Sequence, residues 1–249
     1  MKLFNKVNSK TSQEGVSAPS IFAVEDSRMI YTVSITDNIS DVFIYDEVLM
    51  LLENAEENDE IIFNIASYGG RLDSLLALRS GILSTKATVI GKLVSHACSA
   101  GGMLLLCCHN KIVYPNTTFH AHTASYGSYG KSADIKTQVD FETKQIEKLV
   151  YDIYSGFLDS ETEIPQLLEG KEFYFDAEET IERLENQAKY QEEQFQKDEQ
   201  DFLNSLQDGG VTEIIAELSD EELQEELQLA TEAQKEIKKE IAKRKKGHK

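Results

Sequence analysis

The sequence has 249 residues, 41% of them hydrophobic, and a formal net charge of -19, which is enough chain for one sizeable core with an appendage or for two small domains. The charge is uneven, because residues 159–226 hold 23 acidic and four basic side chains, whereas eight Lys or Arg lie in residues 235–249. This acidity argues against general nucleic-acid binding, and no segment approaches the roughly 18 apolar residues of a membrane span.

Residues 1–20 are polar and rich in Ser, Asn and Lys, which predicts a mobile arm. Beyond them, short apolar runs alternate with helical stretches at the spacing of an α/β domain with a largely parallel, buried sheet. The predicted strands are residues 29–35, 60–66 and 87–94, followed by short strands in KIVYP and TTFHAH, and the predicted helices include residues 41–56 and 71–85.

Three helical segments are predicted after the last strand. Apolar residues recur every three or four positions from Ile135 to Phe157, which predicts a long helix along the core. Beyond Ala177 the apolar stripe is thin, and DGG at residues 208–210 is expected to end that helix. Ser219 and Glu222 have the spacing of a capping box. The segment after them is compatible both with a helix that pairs with another helix and with a solvated polar tail.

The three cysteines, Cys98, Cys107 and Cys108, lie in one apolar neighbourhood. An odd number of cysteines without framework spacing fits reduced thiols better than disulfides. The first 20 residues contain lysines but no apolar stretch of signal-peptide length. We therefore expect a soluble cytoplasmic protein.

The stretch SHACSAGG (95–102) combines reactive-looking side chains with small residues. If a strand ends near Ser95 and a helix begins near Ala100, Ser99 lies in the turn at a helix N-terminus, where free backbone N–H groups favour negative charge. An acyl-transfer enzyme needs its nucleophile and oxyanion donors in such a place. The glycines at 101 and 102 cost helix stability, which predicts that they let a substrate approach the backbone.

A hydroxyl nucleophile needs a base, and the TTFHAHT segment offers two histidines. His120 and His122 are two residues apart, so a strand places both on the same side. The glycine turn SYGG (67–70) adds backbone N–H groups at the C-terminal edge of the sheet, where such sites form. These residues alone leave the choice of histidine open, and a serine in such a turn is also common for structural reasons.

Four segments resemble, in order and at close to the expected spacing, the serine peptidase subunit ClpP and its phage-encoded relatives. They are RMIYTVSITD, IIFNIASYGG, GKLVSHACSAGGMLLL and YPNTTFHAHTASYGSYGKSADI. The resemblance covers residues 21–180 and implies a ClpP/crotonase-like α/β fold of repeated strand-strand-helix units. The mobile arm (1–20) precedes this peptidase domain, and a charged helical C-terminal extension (181–249) follows it.

The resemblance assigns roles to two of the residues above. Ser99 matches the nucleophile of the family. Counting back without gaps from residues 130–135 places His122, rather than His120, on the general base. A serine hydroxyl that gives its proton to an imidazole has the chemistry that peptide-bond cleavage requires.

The acid and the oxyanion donors follow from the same resemblance. Glu172, five residues before Ala177 in the run GKEFYFDAEET, takes the place of the family's aspartate, and Asp176 is the alternative. A carboxylate there holds the tautomer of the base and stabilises the imidazolium. The backbone N–H groups of Gly69 and Ala100 correspond to the oxyanion donors.

The sequence departs from the family pattern in three places. Tyr68 replaces the proline before the glycine pair, which is expected to alter the contact with the substrate strand. Glutamate replaces the aspartate of the triad. The glycine and leucine that close the family's domain are missing, because ETIERLENQAKYQEEQ continues as a polar helix.

Other readings of the same residues are weaker. Cys98 cannot share a face with Ser99 on a strand, so we expect Cys98, Cys107 and Cys108 to be small core residues and His96 to be a packing or hydrogen-bonding residue. No Cys/His spacing predicts a metal site. SYGSYGKS (125–132) is close to a phosphate-binding loop, but it lacks the first glycine and an apolar strand that ends in a magnesium-binding aspartate.

These assignments predict a serine endopeptidase that forms an acyl-enzyme on Ser99 without a metal or organic cofactor. The resemblance implies a homo-oligomeric ring that acts on polypeptides. As a Clp-type degradative subunit it would need a separate AAA+ ATPase, because the chain has no ATPase motif. The departures favour a phage-encoded head-maturation protease instead, which acts on capsid or scaffold protein in the host cytoplasm without nucleic acid or membrane partners.

Two alternatives belong to other classes. A crotonase-like acyl-CoA enzyme uses an oxyanion hole on a related sheet without a serine nucleophile, and the coexistence of Ser99 with His122 argues against it. An inactive assembly protein would keep the fold and bind its partners through the charged helices.

Overall fold

The computed structural model describes residues 2–6, 19, 21–25, 28–125, 127 and 129–207. The predicted break at 208–210 and the capping pair at Ser219 and Glu222 lie outside these residues. The chain divides into two units, Met1–Gln191 and Glu192–Lys249, and the sheet and the candidate site belong to the first. In the part of the chain described, every helix is too short or too polar to cross a lipid bilayer.

The described residues of the first unit form a mixed sheet with a parallel centre. β3, β4 and β5 pair in parallel, and the other edge of β5 pairs in parallel with β6 and then with β7. β1 and β2 extend the sheet antiparallel beyond β3, and β8 extends it antiparallel beyond β7. The strands are β1 (Lys2–Lys6), β2 (Ile21–Glu25), β3 (Met29–Ile35), β4 (Glu60–Ser67), β5 (Thr88–Cys98), β6 (Asn110–Val113), β7 (Thr118–Ala121) and β8 (Phe173–Phe175).

Six α-helices connect or follow these strands in the described residues. A 3-10 turn at Val42–Tyr45 leads into the first of them. The helices are α1 (Asp46–Asn54), α2 (Leu72–Ser84), α3 (Ala100–Cys107), α4 (Ser132–Tyr154), α5 (Glu163–Leu168) and α6 (Ala177–Gln207). The predicted α/β class and its largely parallel sheet are confirmed.

The core lies between one face of the central strands and the helices that cover it. Buried and half-buried residues alternate along β4, so that Ile61, Phe63 and Ile65 are inaccessible to solvent while their neighbours are only partly covered. α3 is buried on nearly every side, since all its residues from Ala100 to Leu106 are buried. A helix that is apolar all round belongs inside a core, and α3 therefore fixes the end of β5 firmly.

Two predicted boundaries differ from the structure. β5 continues to Cys98, whereas the apolar pattern ended near residue 94. Its last part is exposed at Ser95 and half-buried at His96 because it lines a cavity, so the hydrophobic pattern ends before the strand does. Within the segment predicted as a mobile arm, residues 2–6 form β1, which the polar composition did not indicate.

The long helix α4 was predicted to lie along the core, and this is correct only for its last turns. Its buried residues are Val150, Ile153 and Tyr154, all near the C-terminus. Phe141, in the middle of the helix, is 63% exposed. Periodicity identifies the apolar stripe of a helix but not what covers it, and the N-terminal half of this stripe lies outside the core of the chain.

Candidate active site

Ser99 is the single residue between β5 and α3. Its backbone has φ 53° and ψ -126°, a positive φ that a serine rarely adopts. Its N–H donates to the carbonyl of His120 at 2.9 Å, and its carbonyl accepts from the N–H of Met103 at 2.9 Å. A strained residue in a strand-to-helix turn, held from both sides, presents its side chain at the helix N-terminus.

The two glycines after Ser99 serve packing rather than substrate access, which corrects the sequence-based expectation. A Cβ atom on Gly101 would lie 2.9 Å from the carbonyl oxygen of Ser67 on β4. A Cβ atom on Gly102 would lie 2.9 Å from the ring of Phe119 on β7. Both glycines are buried, and they allow α3 to lie directly against the neighbouring strands.

Gly69 lies directly beside the turn of Ser99. Its φ is 96°, and an added Cβ atom would lie 2.7 Å from the Cβ atom of Ser99 and 3.0 Å from the nitrogen of Ala100. Ala100 opens α3, so its N–H has no acceptor within the helix. The N–H of Gly69 donates to the hydroxyl of Ser67 at 3.1 Å, and it would have to leave this bond to bind an oxyanion.

The histidine strand β7 lies next to the end of β5. Cys98 pairs with His120, and the bond from the N–H of Ser99 to the carbonyl of His120 continues this ladder. The rings of His120 and His122 stack, with centroids 5.1 Å apart and planes inclined by 20°. Both histidines line one open cavity of about 690 Å³ together with Cys98. The backbone of His120 therefore contacts the serine turn, and His122 stacks on the ring of His120.

The carboxyl side of the site is built by β8, which pairs antiparallel with β7. The register pairs His120 with Tyr174 and Ala121 with Phe173, so its next step places Glu172 opposite His122. The carboxylate itself lies nearer to His120, with 3.3 Å between Oε2 and Nε2. These two atoms are at ion-pair distance but are poorly aligned, and the buried Nε2 atom has no hydrogen-bond partner in the described part of the chain.

Asp176, the alternative acid, caps the N-terminus of α6. Its Oδ1 atom accepts the N–H of Glu179 at 2.9 Å, and the Glu179 carboxylate accepts the N–H of Asp176 at 3.1 Å. This reciprocal pair is a capping box at the start of α6. Asp176 lines the cavity, but its carboxylate is committed to the helix, which favours Glu172 as the partner of a histidine.

Two pKa directions describe the electrostatics of this corner. Burial lowers the pKa of His120, the charge of His122 lowers it further, and Glu172 opposes both. The hydrogen bond from Tyr174 is the largest cause that lowers the pKa of Glu172, and His120 and His122 add to it. At neutral pH the corner therefore holds a charged carboxylate beside a neutral His120 ring.

β8 is held in place by aromatic packing and one half-buried ion pair. The ring of Phe119 on β7 lies 4.6 Å from Phe157 and 6.3 Å from Phe175. The guanidinium of Arg183 lies 4.1 Å above the Phe175 ring and donates two hydrogen bonds of 2.8 Å to Glu163. These contacts fix the strand from which Glu172 extends, although Glu172 itself remains 51% exposed.

A family model described as Clp protease matches residues 13–183. The chain belongs to the Clp protease family. No curated protein matches closely enough to count as a relative. Membership of this family implies a serine peptidase that acts on polypeptides, and it accounts for the mixed sheet and for the serine turn that the structure displays.

Within this Clp protease fold, the rival residues have the following positions. Cys98 is half-buried and lines the cavity, so the prediction that it is a core residue was wrong. Burial raises the pKa of its thiol, which lowers its thiolate fraction and argues against a role as nucleophile. Burial raises the pKa of Cys107 to about 11, and it also raises the pKa of the fully buried Cys108.

His96 is a packing and hydrogen-bonding residue, as predicted. Its ring lies 4.0 Å from that of Tyr68, and its Nδ1 atom lies 3.2 Å from the hydroxyl of Ser95. Tyr68, which replaces the family's proline, is 71% exposed and lines the cavity. The described residues contain no group of three or more His, Cys, Asp or Glu side chains arranged as a metal site.

Sequence reasoning missed one residue of this site. Tyr174 donates a hydrogen bond of 2.5 Å to Glu172, and its ring lies parallel to that of His120 at 4.0 Å. The sequence signal is the spacing of two between Glu172 and Tyr174 on a strand, which places both side chains on one face. That face could not be assigned without the pairing of β8 with β7.

Proposed function

We propose that this Clp-family chain is a serine endopeptidase with Ser99 as nucleophile, His122 as general base and Glu172 as the acid that orients the base. The observation that carries the proposal is the backbone of Ser99, with φ 53° at the only residue between β5 and α3. A serine in this strained conformation at a helix N-terminus has the geometry of an activated nucleophile beside oxyanion donors.

In the first half of the reaction, the Ser99 Oγ atom attacks the carbonyl carbon of the scissile peptide bond while His122 takes the hydroxyl proton. The carbonyl oxygen becomes an oxyanion, to which the N–H of Ala100 and the N–H of Gly69 donate. Collapse of the tetrahedral intermediate breaks the C–N bond. His122 then returns the proton to the leaving amine, which leaves the acyl group on Ser99.

In the second half, water gives a proton to His122 and attacks the acyl carbon, and the same donors bind the second oxyanion. Collapse breaks the bond to Ser99 and returns the proton from His122 to Oγ, which releases the carboxylic acid product. Glu172 stabilises the imidazolium in both halves through its negative charge and remains ionised. Every step uses groups that the chain itself supplies.

Hydrolysis of a fluorogenic casein-derived peptide tests the proposal. We expect Ser99→Ala and His122→Ala each to lower kcat by at least about a thousandfold. Ser95→Ala is the matched control, because Ser95 lines the cavity together with His122 and its hydroxyl contacts only His96 among the described side chains. Retention of wild-type turnover by folded Ser99→Ala protein would exclude the proposed nucleophile.

We further propose that the chain works as a homo-oligomeric ring, because family membership suggests an oligomeric peptidase. The first half of α4 supports this, since Ile135 and Val139 of its apolar stripe are only half-buried and Phe141, on another face of the helix, is exposed in the single chain. Light scattering behind a sizing column measures the assembly mass. A monomer in both wild type and Phe141→Ser would contradict the ring, whereas an oligomer that Phe141→Ser weakens would support it.

The biological setting that we propose is maturation of a phage head rather than general protein degradation. Support comes from the glutamate in the acid position and from the acidic residues that continue from Glu185 to Glu226, beyond the family match at residue 183. Co-expression with candidate capsid and scaffold proteins of the phage that this proposal implies tests it. We expect cleavage by the wild type and none by Ser99→Ala, and uncleaved partners with both proteins would contradict it.

A further inference from the structure

Three aromatic rings and one carboxylate are in continuous contact where β7 pairs with β8. The Tyr174 ring lies 4.0 Å from the His120 ring, with planes inclined by 6°, and the His120 ring stacks in turn on His122 at 5.1 Å. The Tyr174 hydroxyl donates to Oε2 of Glu172 at 2.5 Å. The same oxygen lies 3.3 Å from Nε2 of His120. We call Tyr174 and His120 the ring clamp.

A glutamate in the acid position needs such support. It has one more methylene group than the aspartate of the family pattern, and therefore one more rotatable bond to order. The Glu172 side chain is 51% exposed, so packing alone restricts it little. The nearby Lys171 does not hold it, because its ammonium donates to Gln166 and lies over the Phe173 ring.

The two members of the ring clamp restrain Glu172 in different ways. Tyr174 supplies a short hydrogen bond to the charged carboxylate, and hydrogen bonds to ionised groups are stronger than neutral ones. His120, whose side chain is only 17% exposed, supplies a rigid surface against which the Tyr174 ring stacks. Without that surface, the exposed tyrosine would have several rotamers available.

Building on the proposed function, we propose that Tyr174 and His120 are positioning residues that hold the Glu172 carboxylate in place for His122. The cross-strand register supports this, because its next step sets Glu172 opposite His122 while Tyr174 is opposite His120. Tyr174 and His120 thus restrict the additional rotatable bond of the glutamate. They affect the reaction only by positioning the Glu172 carboxylate.

The clamp also has a consequence for pH dependence. The titratable groups that face Glu172 are Tyr174 on β8, His120 on β7 and His122, which directly follows β7. The Tyr174 hydrogen bond lowers the pKa of Glu172, so its removal raises that pKa toward the ordinary value. The general base sets the acid limb of the kcat profile, and the charged carboxylate is the active form of Glu172, so the loss of kcat without this bond is expected to be larger at acidic pH than at neutral pH.

The test begins with Tyr174→Phe, which removes the hydroxyl and keeps the stacked ring. We expect kcat for the fluorogenic peptide to fall roughly fivefold to tenfold at neutral pH with KM unchanged, and to fall by a larger factor at acidic pH. Tyr114→Phe is the matched control, because Tyr114 is also exposed and belongs to the loop between β6 and β7. His120→Ala is expected to lower kcat by a similar factor, and His120→Phe is expected to restore most of the lost kcat because it keeps an aromatic ring.

The double variant decides whether the clamp acts through the carboxylate. In a Glu172→Ala background, Tyr174→Phe is expected to have almost no further effect on kcat, or on the fluorophosphonate labelling rate where turnover is too slow to measure. A Tyr174→Phe loss that persists in this background, or an unchanged kcat in Tyr174→Phe alone, would overturn the clamp. Loss of the proposed function would appear differently, as turnover that survives Ser99→Ala.

Discussion

The serine side and the acid side of the candidate site are held by different means. The serine side is the turn of Ser99 with Gly69, and it is fixed by backbone hydrogen bonds and by close contact of buried glycines with strands. The acid side is Glu172, directly before the short strand β8, and it is fixed by side-chain contacts at the sheet edge. A substitution at a tightly packed glycine displaces the backbone around it, whereas a side-chain contact on the acid side can be changed without moving the backbone. This difference is in line with the prediction from the sequence that glutamate takes the place of the family's aspartate on the acid side.

The largest loss of kcat is expected from a substitution at Gly69, which is in close contact with the turn of Ser99. Gly69→Ala would bring a Cβ atom to 2.7 Å from Ser99 and impose a residue with a side chain on φ 96°. We expect a loss of at least about a hundredfold in kcat, since the oxyanion donors are displaced. The assay is peptide hydrolysis, with thermal unfolding to confirm that the variant is folded.

Gly170→Ala is the matched control for backbone strain. Gly170 has φ 100°, similar to that of Gly69, but an added Cβ atom would meet no other atom within 4 Å. This variant should lose stability of about 1 kcal/mol and retain its kcat. Equal losses of kcat in the two variants would mean that strain, and not the contact with Ser99, explains the requirement for glycine.

The acid side gives the next largest effect. Glu172→Gln is expected to lower kcat by roughly a hundredfold, because an amide does not stabilise the imidazolium. Asp176→Asn should leave kcat within about twofold, because Asp176 caps α6, and an asparagine caps a helix almost as well as an aspartate. A larger loss of kcat in Asp176→Asn than in Glu172→Gln would reverse the assignment of the acid.

The smallest effect concerns the support of β8 and its dependence on pH. Hydrogen bonds from Arg183 lower the pKa of Glu163 below its ordinary value of 4.5. A depressed carboxyl pKa contributes stability above the unfolded-state pKa, and the contribution is lost as the pH falls through the folded-state pKa. Wild type should therefore exceed Glu163→Gln by about 1–2 kcal/mol in the free energy of unfolding at pH 7, and by progressively less below pH of about 4.5.

Urea unfolding at several pH values measures this difference. Glu182→Gln on the exposed side of α6 is the control, and it should match the wild type at every pH. If the difference in the free energy of unfolding between wild type and Glu163→Gln stayed constant as the pH falls, the ion pair with Arg183 would not be what stabilises this side of the site.

The sequence was most informative where local patterns decide the structure. Alternating apolar residues located β4, and the small residues around Ser99 located the strand-to-helix turn. It was less informative where the outcome depends on pairing between distant segments. His120 and Tyr174 are far apart in the chain, and only the antiparallel register of β7 and β8 brings the tyrosine to Glu172. Apolar periodicity likewise could not tell that half of α4 lies outside the core.

The most direct test of the central claim is to find the residue that carries the covalent adduct. The protein is treated with a fluorophosphonate, digested, and analysed by tandem mass spectrometry. We predict a single adduct on Ser99, which is absent from Ser99→Ala and unchanged in Cys98→Ser. An adduct on Cys98, or the absence of any adduct from folded wild-type protein in its assembled form, would contradict the assignment of Ser99 as the nucleophile.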